Sequence, residues 1–555
     1  MKQASLQETN GNGLAGALIV LAAVAAIWFT GLGGRALFNP DEGRYAEIPR
    51  EMVATGDWVT PRLNDIKYFE KPPLHYWATA IGYEVFGESE FTARLWVGLT
   101  GFAGVLLAFV LGRKLYGATA GVSGAVVLAS SLLYFVLGHL NILDMGVSFF
   151  LQLAVAGFLL AQPRPAQPDP SKHWMTLAWI AVALALLSKG LIGPVLPVLA
   201  LIAYSLLNRD FLPWRRLNVL QGVAVFLLIS APWFVLVSRR NPEFAHFFFI
   251  HEHFERYLTP VHKHSEPAWY FPVIALAGAL PWTALVVHAL ASAWGADRGE
   301  RFGSRRFLLI WIFVVIGFFS LSSSKLAPYI LPAFPAMALL TGDFINRAGA
   351  RVLRAHLLVI SIVVTLGALA AWLVPIPESR RIPHELMGGL VFDVRAGLVS
   401  LTAAAWLGYA LLRAESRRKL AIITTGLGAL LFLAFLLRGS DALRETRSGR
   451  SIAQAIAPVI DQDTPLFVIE EYDQTVSFYL GRTHTLVDYR GEFEFGLLQE
   501  PGKALADRAA FLREWNREPK AIAIMKRSVY EELQRAGLSG RVLGGNMKFI
   551  AVAKP

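Results

Sequence analysis

The chain has 555 residues, 55% of them hydrophobic, and a formal net charge of +11. Apolar runs of about 20 residues recur along it, which is the length that crosses about 30 Å of hydrocarbon. This pattern excludes an ordinary soluble protein and indicates a polytopic membrane protein. The chain has no cysteine, so disulfides and thiolate metal sites are excluded.

The apolar runs predict an α-helical bundle of about 13 transmembrane helices. In chain order, the predicted spans are Gly13–Gly33, Phe91–Gly112, Ala118–Leu140, Met145–Ala161, Trp174–Leu187, Leu191–Leu207, Val219–Val237, Trp269–Trp294, Phe307–Leu321, Leu326–Leu340, Leu357–Val374, Ala396–Leu412 and Leu420–Leu437. The first run is too long for the apolar core of a signal peptide, and we expect it to be a retained helix. The segment 72–86 opens with two prolines and is rich in aromatic residues, which favours a position along the membrane interface.

The loops that follow every second span are basic, as at Arg113, Arg216, Arg305, Arg351 and Arg417. The positive-inside rule places these loops in the cytoplasm. Much of the net positive charge is thus a topology signal, and a nucleic-acid partner is not needed to explain it. The N-terminus is then predicted inside, with outer loops at 35–90 and 239–268 and the C-terminal tail outside.

The composition changes near residue 440, which divides a membrane domain (1–439) from a predicted small soluble α/β domain (440–555). Strand-like runs are PLFVIE, TVSFYL, HTLVD, AIAIM and KFIAVA, and helix-like stretches are Lys503–Trp515 and Ser528–Ala536. The region has no glycine-rich fingerprint or P-loop, so we expect no nucleotide cofactor. Its role could be substrate capture or simple structural cover, and structural cover is the favoured expectation.

The first outer loop is unusually rich in charged and aromatic residues. It carries Asp41, Glu42, Arg44 and Tyr45, and some 25 residues later Glu70 and Lys71. Such groups are costly beside lipid and mark a functional site. An outer-face enzyme without a nucleotide site needs an activated donor delivered in the membrane, and a polyprenyl-phosphate sugar meets that need. Carboxylates can position hydroxyls, cations can neutralise a departing phosphate, and aromatic rings can stack on sugars.

The stretch NPDEGRYAEIPREMVATGDWVTPRLNDIKYFEKPPLHYW resembles the GT-C class of lipid-linked glycosyltransferases. Within that class it is most similar to the bacterial aminoarabinose transferases of lipid A, relatives of the protein O-mannosyltransferases. The resemblance implies an inverting transfer of 4-amino-4-deoxy-L-arabinose from undecaprenyl phosphate to lipid A phosphates. It also implies a monomer in the bacterial inner membrane, an active site on the periplasmic face, and resistance to polymyxin and other cationic peptides.

The resemblance assigns Asp41 as the principal catalytic carboxylate, expected to orient the acceptor or bind the amino sugar. Since a phosphate acceptor is largely anionic at neutral pH, Asp41 need not be a strong base. Glu42 is a supporting catalytic candidate, although it could instead cap the following helix.

Lys71 and Arg256 are the candidates for binding the donor phosphate, because fixed cations stabilise the charge that a leaving phosphate gains. The alternative for either residue is snorkelling toward lipid headgroups. Further substrate-binding candidates are Arg44, Tyr45, Tyr68, Asp144, Lys189, Lys325 and Tyr329. A helix cap explains Asp144 almost as well as acceptor binding does.

A divalent cation is a further expectation, with Glu70 and His251 as ligands and zinc favoured over magnesium. The histidines of HEHFERY and those just after it motivate this prediction, although surface histidines without a metal explain them equally well.

A secondary transporter and a different GT-C enzyme are the alternatives. A secondary transporter would place ionisable residues at broken helices near the midplane and often show repeated halves, whereas these charges gather at one face. The nearer alternative is a GT-C enzyme that moves a mannosyl or other group from a polyprenyl phosphate to a protein or another glycolipid.

Overall fold

The computed structural model describes residues 2–163, 170–255, 266–297, 302–376 and 382–554, and side chains from residue 15 onward except at 253–255. The helices before residue 440 are α1 (Lys2–Thr30), α2 (Asp41–Thr55), α3 (Leu74–Phe86), α4 (Glu90–Tyr116), α5 (Ala118–Ala129), α6 (Leu132–Leu137), α7 (Asp144–Leu160), α8 (His173–Lys189), α9 (Ile192–Asn208), α10 (Val219–Arg240), α11 (Tyr270–Gly278), α12 (Thr283–Ala293), α13 (Ser304–Leu321), α14 (Phe334–Arg347), α15 (Ala350–Leu373), α16 (His384–Leu411) and α17 (Arg418–Gly439). Short helical turns lie at Leu212–Arg215 and Phe244–His246.

The helices form a multi-pass membrane bundle. Within the described residues, seven helical spans are long and apolar enough to cross a bilayer, and α11 with α12 forms an eighth that is bent by 114°. The remaining predicted spans lie on shorter apolar helices, namely the part of α1 from residue 15, α5, α7, α8 and α9. Each predicted span therefore lies on helical structure.

Three predicted spans are not continuous α-helices. Ala118–Leu140 is split between α5 and α6 at Ser130 and Ser131, and Trp269–Trp294 breaks at residues 279–282. In Leu326–Leu340 a 3-10 segment, Ala327–Ala333, precedes α14. Prolines in the second and third of these segments remove backbone donors, which favours such breaks.

The first predicted outer loop is largely helical and packs onto the bundle. The acidic residues Asp41 and Glu42 in the first turn of α2 suit the positive end of the helix dipole, and Gly56 ends the helix in the left-handed region at φ 70°. A hairpin of β1 (Arg62–Leu63) and β2 (Ile66–Lys67) leads to α3, which starts after two prolines. These elements hold the charged motif against the helices.

In the second predicted outer loop, 239–268, α10 extends to Arg240 and a π-helix runs from Phe247 to Glu255. Residues 256–265 lie outside the described part of the chain. The π-helix brings Glu252 toward the first outer loop.

The C-terminal region forms a six-stranded mixed sheet in the order β5-β4-β3-β6-β8-β7. Its strands are β3 (Leu466–Ile469), β4 (Thr485–Val487), β5 (Ala504–Leu505), β6 (Ile522–Met525), β7 (Arg541–Gly545) and β8 (Ile550–Ala553), and its helices include α18 (Arg450–Ile456), α19 (Gln474–Leu480), α20 (Glu494–Gln499), α21 (Arg508–Arg517) and α22 (Arg527–Arg535). β3 pairs in parallel with β4 and β6, and β8 is antiparallel to β6 and β7. The predicted small α/β domain is thus confirmed as a fold, while its exact boundary at residue 440 stays a prediction.

One predicted strand is wrong: TVSFYL forms α19. Asp473 caps this helix by accepting hydrogen bonds from the backbone N–H groups of Thr475 and Val476, and Gly481 ends it at φ 64°. These capping signals outweigh the strand preference of the apolar residues between them. β5 and β7 were not predicted, because both are short or glycine-containing edge strands.

The C-terminal domain packs directly on the first outer loop. A Cβ atom on Gly43 would lie 2.7 Å from the backbone nitrogen of Thr475, so the first turn of α2 contacts the start of α19 without room for a side chain. The hydroxyl of Tyr479 accepts a 2.8 Å hydrogen bond from the backbone N–H of Leu37. The two regions therefore meet at the predicted site.

Candidate active site

The first turn of α2 presents Asp41 and Arg44 at the domain junction. The Asp41 side chain is 51% exposed, and one of its oxygens accepts a 2.8 Å hydrogen bond from Arg44 Nη1. Arg44 Nε donates to Glu492 of the C-terminal domain at 2.5 Å. Burial disfavours the charged guanidinium, but the surrounding groups, Glu492 foremost, outweigh burial and raise the pKa of Arg44. Asp41 is thus an accessible carboxylate beside a fixed cation.

Aromatic rings line this junction next to Arg44. The guanidinium carbon lies 5.8 Å from the ring centre of Tyr45 and 5.9 Å from that of Tyr68. Both tyrosines are buried, and burial raises the pKa of each hydroxyl well above its usual value. Both are therefore neutral groups that can donate or accept hydrogen bonds and stack on a sugar.

Glu42 points away from Asp41 into the protein. It pairs with Arg35 at 2.6 Å and Arg94 at 2.8 Å, and it accepts a 3.0 Å hydrogen bond from the backbone N–H of Phe38. Burial alone would raise the pKa of Glu42, but the two guanidinium groups hold it below its usual range. Its side chain is 3% exposed, so the geometry supports a structural role and not the predicted catalytic one.

Lys71 follows Glu70 in the same loop as Asp41. Its ammonium group donates to the backbone oxygen of Glu70 at 2.8 Å and to Glu252 of the π-helix at 2.9 Å. The pair joins the two outer segments and fixes a cation that can bind a phosphate. Arg256, the second predicted phosphate ligand, lies outside the described residues.

Asp144, Lys189 and Tyr329 form a second cluster. The Lys189 ammonium bonds to Asp144 at the start of α7 and lies 4.7 Å from the ring centre of Tyr329. Asp144 is therefore an ion-pair partner, and the helix cap considered for it is not seen, since Leu143 occupies the cap position. Lys325, four residues before Tyr329, is buried, and its ammonium group donates to the backbone oxygen of Ser322 at 2.7 Å.

The predicted metal site has few ligands: in the described part of the chain, no group of three or more His, Asp or Glu side chains could hold an ion. His251 stacks on Phe247 with ring centres 5.2 Å apart, and Glu70 lies 3.9 Å from the Lys71 ammonium. Two candidate ligands do not make a zinc site. The zinc expectation stays a prediction, and no step below depends on it.

Sequence reasoning missed four polar residues that the fold brings to the site: Glu252, Glu492, His75 and Asn141. Glu252 lies within HEHFERY, whose histidines are the more obvious candidate ligands, and His75 lies within the EKPPLHYW motif. Asn141 hydrogen-bonds both Glu42 and His75. It lies three residues before Asp144, so it connects these residues in sequence to the cluster of Asp144, Lys189 and Tyr329. Glu492 is more than 400 residues from Arg44, and no local pattern marks it.

Comparison with known families gives two matches. Residues 452–554 match the aminoarabinose transferase C-terminal domain, and residues 14–248 match the dolichyl-phosphate-mannose-protein mannosyltransferase family. The two matches fall on the sheet domain and on the part of the bundle that carries the site, respectively.

Individual proteins are similar over nearly the full length. An undecaprenyl phosphate-alpha-4-amino-4-deoxy-L-arabinose arabinosyl transferase from Erwinia tasmaniensis is 32% identical, with 89% of this chain and 90% of the relative covered. The crystal structure of ArnT from Cupriavidus metallidurans bound to undecaprenyl phosphate superposes with a TM-score of 0.90 at 36% identity, covering 97% of both chains. An oligosaccharyltransferase from Archaeoglobus fulgidus shares the fold at a TM-score of 0.50 and 12% identity, with 92% of this chain and 69% of that chain covered.

Proposed function

The chain belongs to the aminoarabinose transferase family of GT-C glycosyltransferases, and we propose that it transfers 4-amino-4-deoxy-L-arabinose from undecaprenyl phosphate to lipid A. The observation that carries this proposal is that one loop supplies an accessible carboxylate, Asp41, a fixed ammonium, Lys71, and the buried rings of Tyr45 and Tyr68. This arrangement suits a sugar donor whose leaving group is a lipid phosphate. The similarity to an undecaprenyl-phosphate-bound transferase over 97% of the chain supports the donor.

The reaction is a displacement at the anomeric carbon of the sugar. A phosphate oxygen of lipid A forms the new bond, and the bond between the anomeric carbon and the donor phosphate oxygen breaks with its electron pair leaving on undecaprenyl phosphate. Lys71 neutralises the charge that develops there, which lowers the barrier. One displacement inverts the anomeric configuration and needs no protein nucleophile.

Asp41 orients the reactants in this scheme. Because the acceptor phosphate is already anionic at neutral pH, the carboxylate has no proton to remove from it. Its remaining task is to hold the amino group or a hydroxyl of the sugar. Arg44 keeps the carboxylate in place through the 2.8 Å hydrogen bond.

The reaction takes place on the periplasmic face of the bacterial inner membrane. The basic loops at Arg113, Arg305 and Arg417 support a cytoplasmic location of the opposite face, by the positive-inside rule. The product gains one amine per sugar, which offsets a lipid A phosphate charge and weakens the attraction of cationic peptides.

The deciding experiment is a transfer assay with purified protein, undecaprenyl-phosphate-linked aminoarabinose and a lipid A precursor, read by mass spectrometry. The expected result is a lipid A mass increase of one aminoarabinose unit, absent with Asp41→Asn. If lipid A is unchanged while a periplasmic protein or another glycolipid from the same cells gains the sugar, the acceptor proposed here is wrong. If the donor is not consumed with any acceptor, the proposed transferase activity is wrong.

A further inference from the structure

The buried face of α3 adds two residues to the wall of the site. The His75 ring centre lies 5.7 Å from that of Tyr45 and 6.3 Å from that of Tyr76, and the two tyrosine rings are 6.2 Å apart. All three side chains are buried. They form one group of rings directly beside Arg44, which lies over Tyr45.

Hydrogen bonding determines which nitrogen of His75 carries the proton. The side-chain amide of Asn141 donates to the backbone oxygen of Glu42 at 3.4 Å, so its oxygen faces His75 Nε2 at 3.0 Å. Nε2 must therefore be the donor. Burial lowers the pKa of His75 to about 4, so the ring is neutral at physiological pH. A neutral ring that donates through Nε2 has a bare lone pair on Nδ1.

That lone pair has no partner within the described structure. His75 Nδ1 and the hydroxyls of Tyr76 and Tyr68 are all buried polar atoms without a hydrogen-bond partner there. Leaving a buried polar group unpaired costs about 1–3 kcal/mol. Several such atoms in one wall indicate that the wall is shaped for a polar occupant.

We propose that His75 accepts a hydrogen bond through Nδ1 from the amino or hydroxyl group of the donor sugar, with the Tyr76 hydroxyl as the adjacent contact. The inference rests on the proposed function and assigns its sugar subsite to α3. A phosphate oxygen does not fit, because both it and Nδ1 are acceptors. A sugar offers hydroxyl donors, and an ammonium group offers three.

The charges around Tyr76 favour an amine over a hydroxyl. The Tyr76 hydroxyl lies in the field of the Glu70, Glu252 and Glu492 carboxylates and of the Arg44 guanidinium, which acts in the opposite sense. Three carboxylates against the two cations Arg44 and Lys71 leave a negative charge in excess. This excess favours a positively charged group, and aromatic faces favour it further through cation–π attraction. Lys71 and Arg44 hold two of these carboxylates, Glu252 and Glu492, so the subsite stays ordered before substrate enters.

The test uses two substitutions, each of which keeps a polar group at the position of only one of the two ring nitrogens of His75. In His75→Asn the amide oxygen takes the place of Nδ1 and the bond to Asn141 is lost. In His75→Gln the amide reaches toward Asn141 and the acceptor at Nδ1 is lost. Binding to the full-length protein in detergent is measured for undecaprenyl phosphate and, separately, for undecaprenyl-phosphate-linked aminoarabinose.

His75→Gln is expected to weaken donor binding about 10-fold, since an unmade hydrogen bond to a charged group costs about 1.4 kcal/mol or more. It should leave binding of undecaprenyl phosphate unchanged. His75→Asn should bind the donor more tightly than His75→Gln. Tyr76→Phe, which keeps the ring, should also weaken binding of the donor and leave binding of undecaprenyl phosphate unchanged. His484→Gln changes another buried histidine outside the site and serves as the control.

The opposite order of the two variants, with His75→Asn weaker than His75→Gln, would mean that the Asn141 bond is what matters and would overturn the inference. Equal loss of both ligands in His75→Gln and Tyr76→Phe would also overturn it. If the wild-type protein binds the donor no better than undecaprenyl phosphate and transfers no sugar, the proposed function itself is rejected. Normal wild-type transfer together with unchanged donor binding in His75→Gln rejects the subsite alone.

Discussion

Arg44, at the first turn of α2, donates a 2.5 Å hydrogen bond to Glu492 of the C-terminal domain. The same guanidinium holds Asp41, so the proposed catalytic carboxylate is connected to the soluble domain through one side chain. Phe495, three residues after Glu492, stacks on Phe247 of the π-helix with ring centres 3.9 Å apart. One segment of the C-terminal domain thus contacts both outer segments of the site, which favours a supporting role for this domain over simple cover.

Glu492→Gln is expected to reduce transfer at least 10-fold, because Arg44 loses the charge that fixes it and buried charge-assisted bonds are worth about 1.5–3 kcal/mol. Glu494→Gln is the matched control, since Glu494 is exposed on the same segment. Rates are measured with saturating lipid A precursor. Equal activity of the two variants would show that the domain contact does not position the site.

Asp41 and Glu42 are adjacent in sequence but should respond differently to loss of charge. Asp41→Asn is expected to abolish transfer with little change in the unfolding temperature, because half-exposed ion pairs contribute about 0–1 kcal/mol. Glu42→Gln should destabilise the protein by about 3–5 kcal/mol, since it leaves Arg35 and Arg94 buried without their counter-charge. Thermal unfolding in detergent and the transfer assay together separate the two roles. A stable Glu42→Gln protein without activity would restore the catalytic assignment.

Lys71→Ala should weaken donor use, seen as a higher KM for the lipid-linked sugar and a lower kcat. Lys71→Arg should restore it only in part, because a planar fork replaces a compact charge. Lys67→Ala is the control: it breaks a similar 2.7 Å salt bridge to Glu243 in the same region, outside the proposed phosphate site. Arg256→Ala is expected to resemble Lys71→Ala. Normal donor kinetics in both alanine variants would place the phosphate elsewhere.

The sequence predicts the bundle well because spanning a membrane requires long apolar helices, which are visible locally. The breaks within α5–α6 and α11–α12 are less visible: the first falls at Ser130 and Ser131 without a proline, and the second contains Pro281 inside an otherwise apolar run. The strand assigned to TVSFYL failed for a related reason: its apolar residues allow either structure, and the cap at Asp473 decides.

The candidate site shows the same division between local and long-range information. Asp41, Arg44 and Lys71 are marked by a compact motif. Their partners Glu492 and Glu252 come from distant segments, and a single sequence carries no signal for such contacts. The burial of Glu42 was also hidden, because its two arginine partners lie in different elements, before α2 and in α4.

Topology can be tested with single cysteines, because the native chain has none. A cysteine at Arg417 should resist a membrane-impermeant thiol reagent added from the periplasm, whereas one at Glu494 should react. Both side chains are exposed, so access to the compartment decides the result. Periplasmic labelling at Arg417, or none at Glu494 in a folded protein, would overturn the predicted orientation.

The C-terminal domain should lose stability in mild acid because of His484. Burial, with further contributions from Arg482 and Arg50, lowers the pKa of this histidine to about 3 from its ordinary 6.5. Between these values the unfolded chain binds a proton that the folded chain does not, so stability is fully present above pH 6.5 and falls as the pH drops. From pH 7.5 to 5 the loss is about 2 kcal/mol, because each pH unit between the two pKa values removes up to about 1.36 kcal/mol.

His484→Gln removes this proton and should therefore lose less stability over the same interval, although it starts lower because the 2.9 Å bond between Nε2 and Ser477 is altered. The measurement is the unfolding of the full-length protein in detergent at pH 7.5 and pH 5, monitored through a probe in the C-terminal domain. His75 titrates equally in both proteins, so the difference between their acid losses isolates His484. Parallel acid losses in the variant and the wild type would mean that His484 is already protonated in the folded domain or titrates as it does when unfolded.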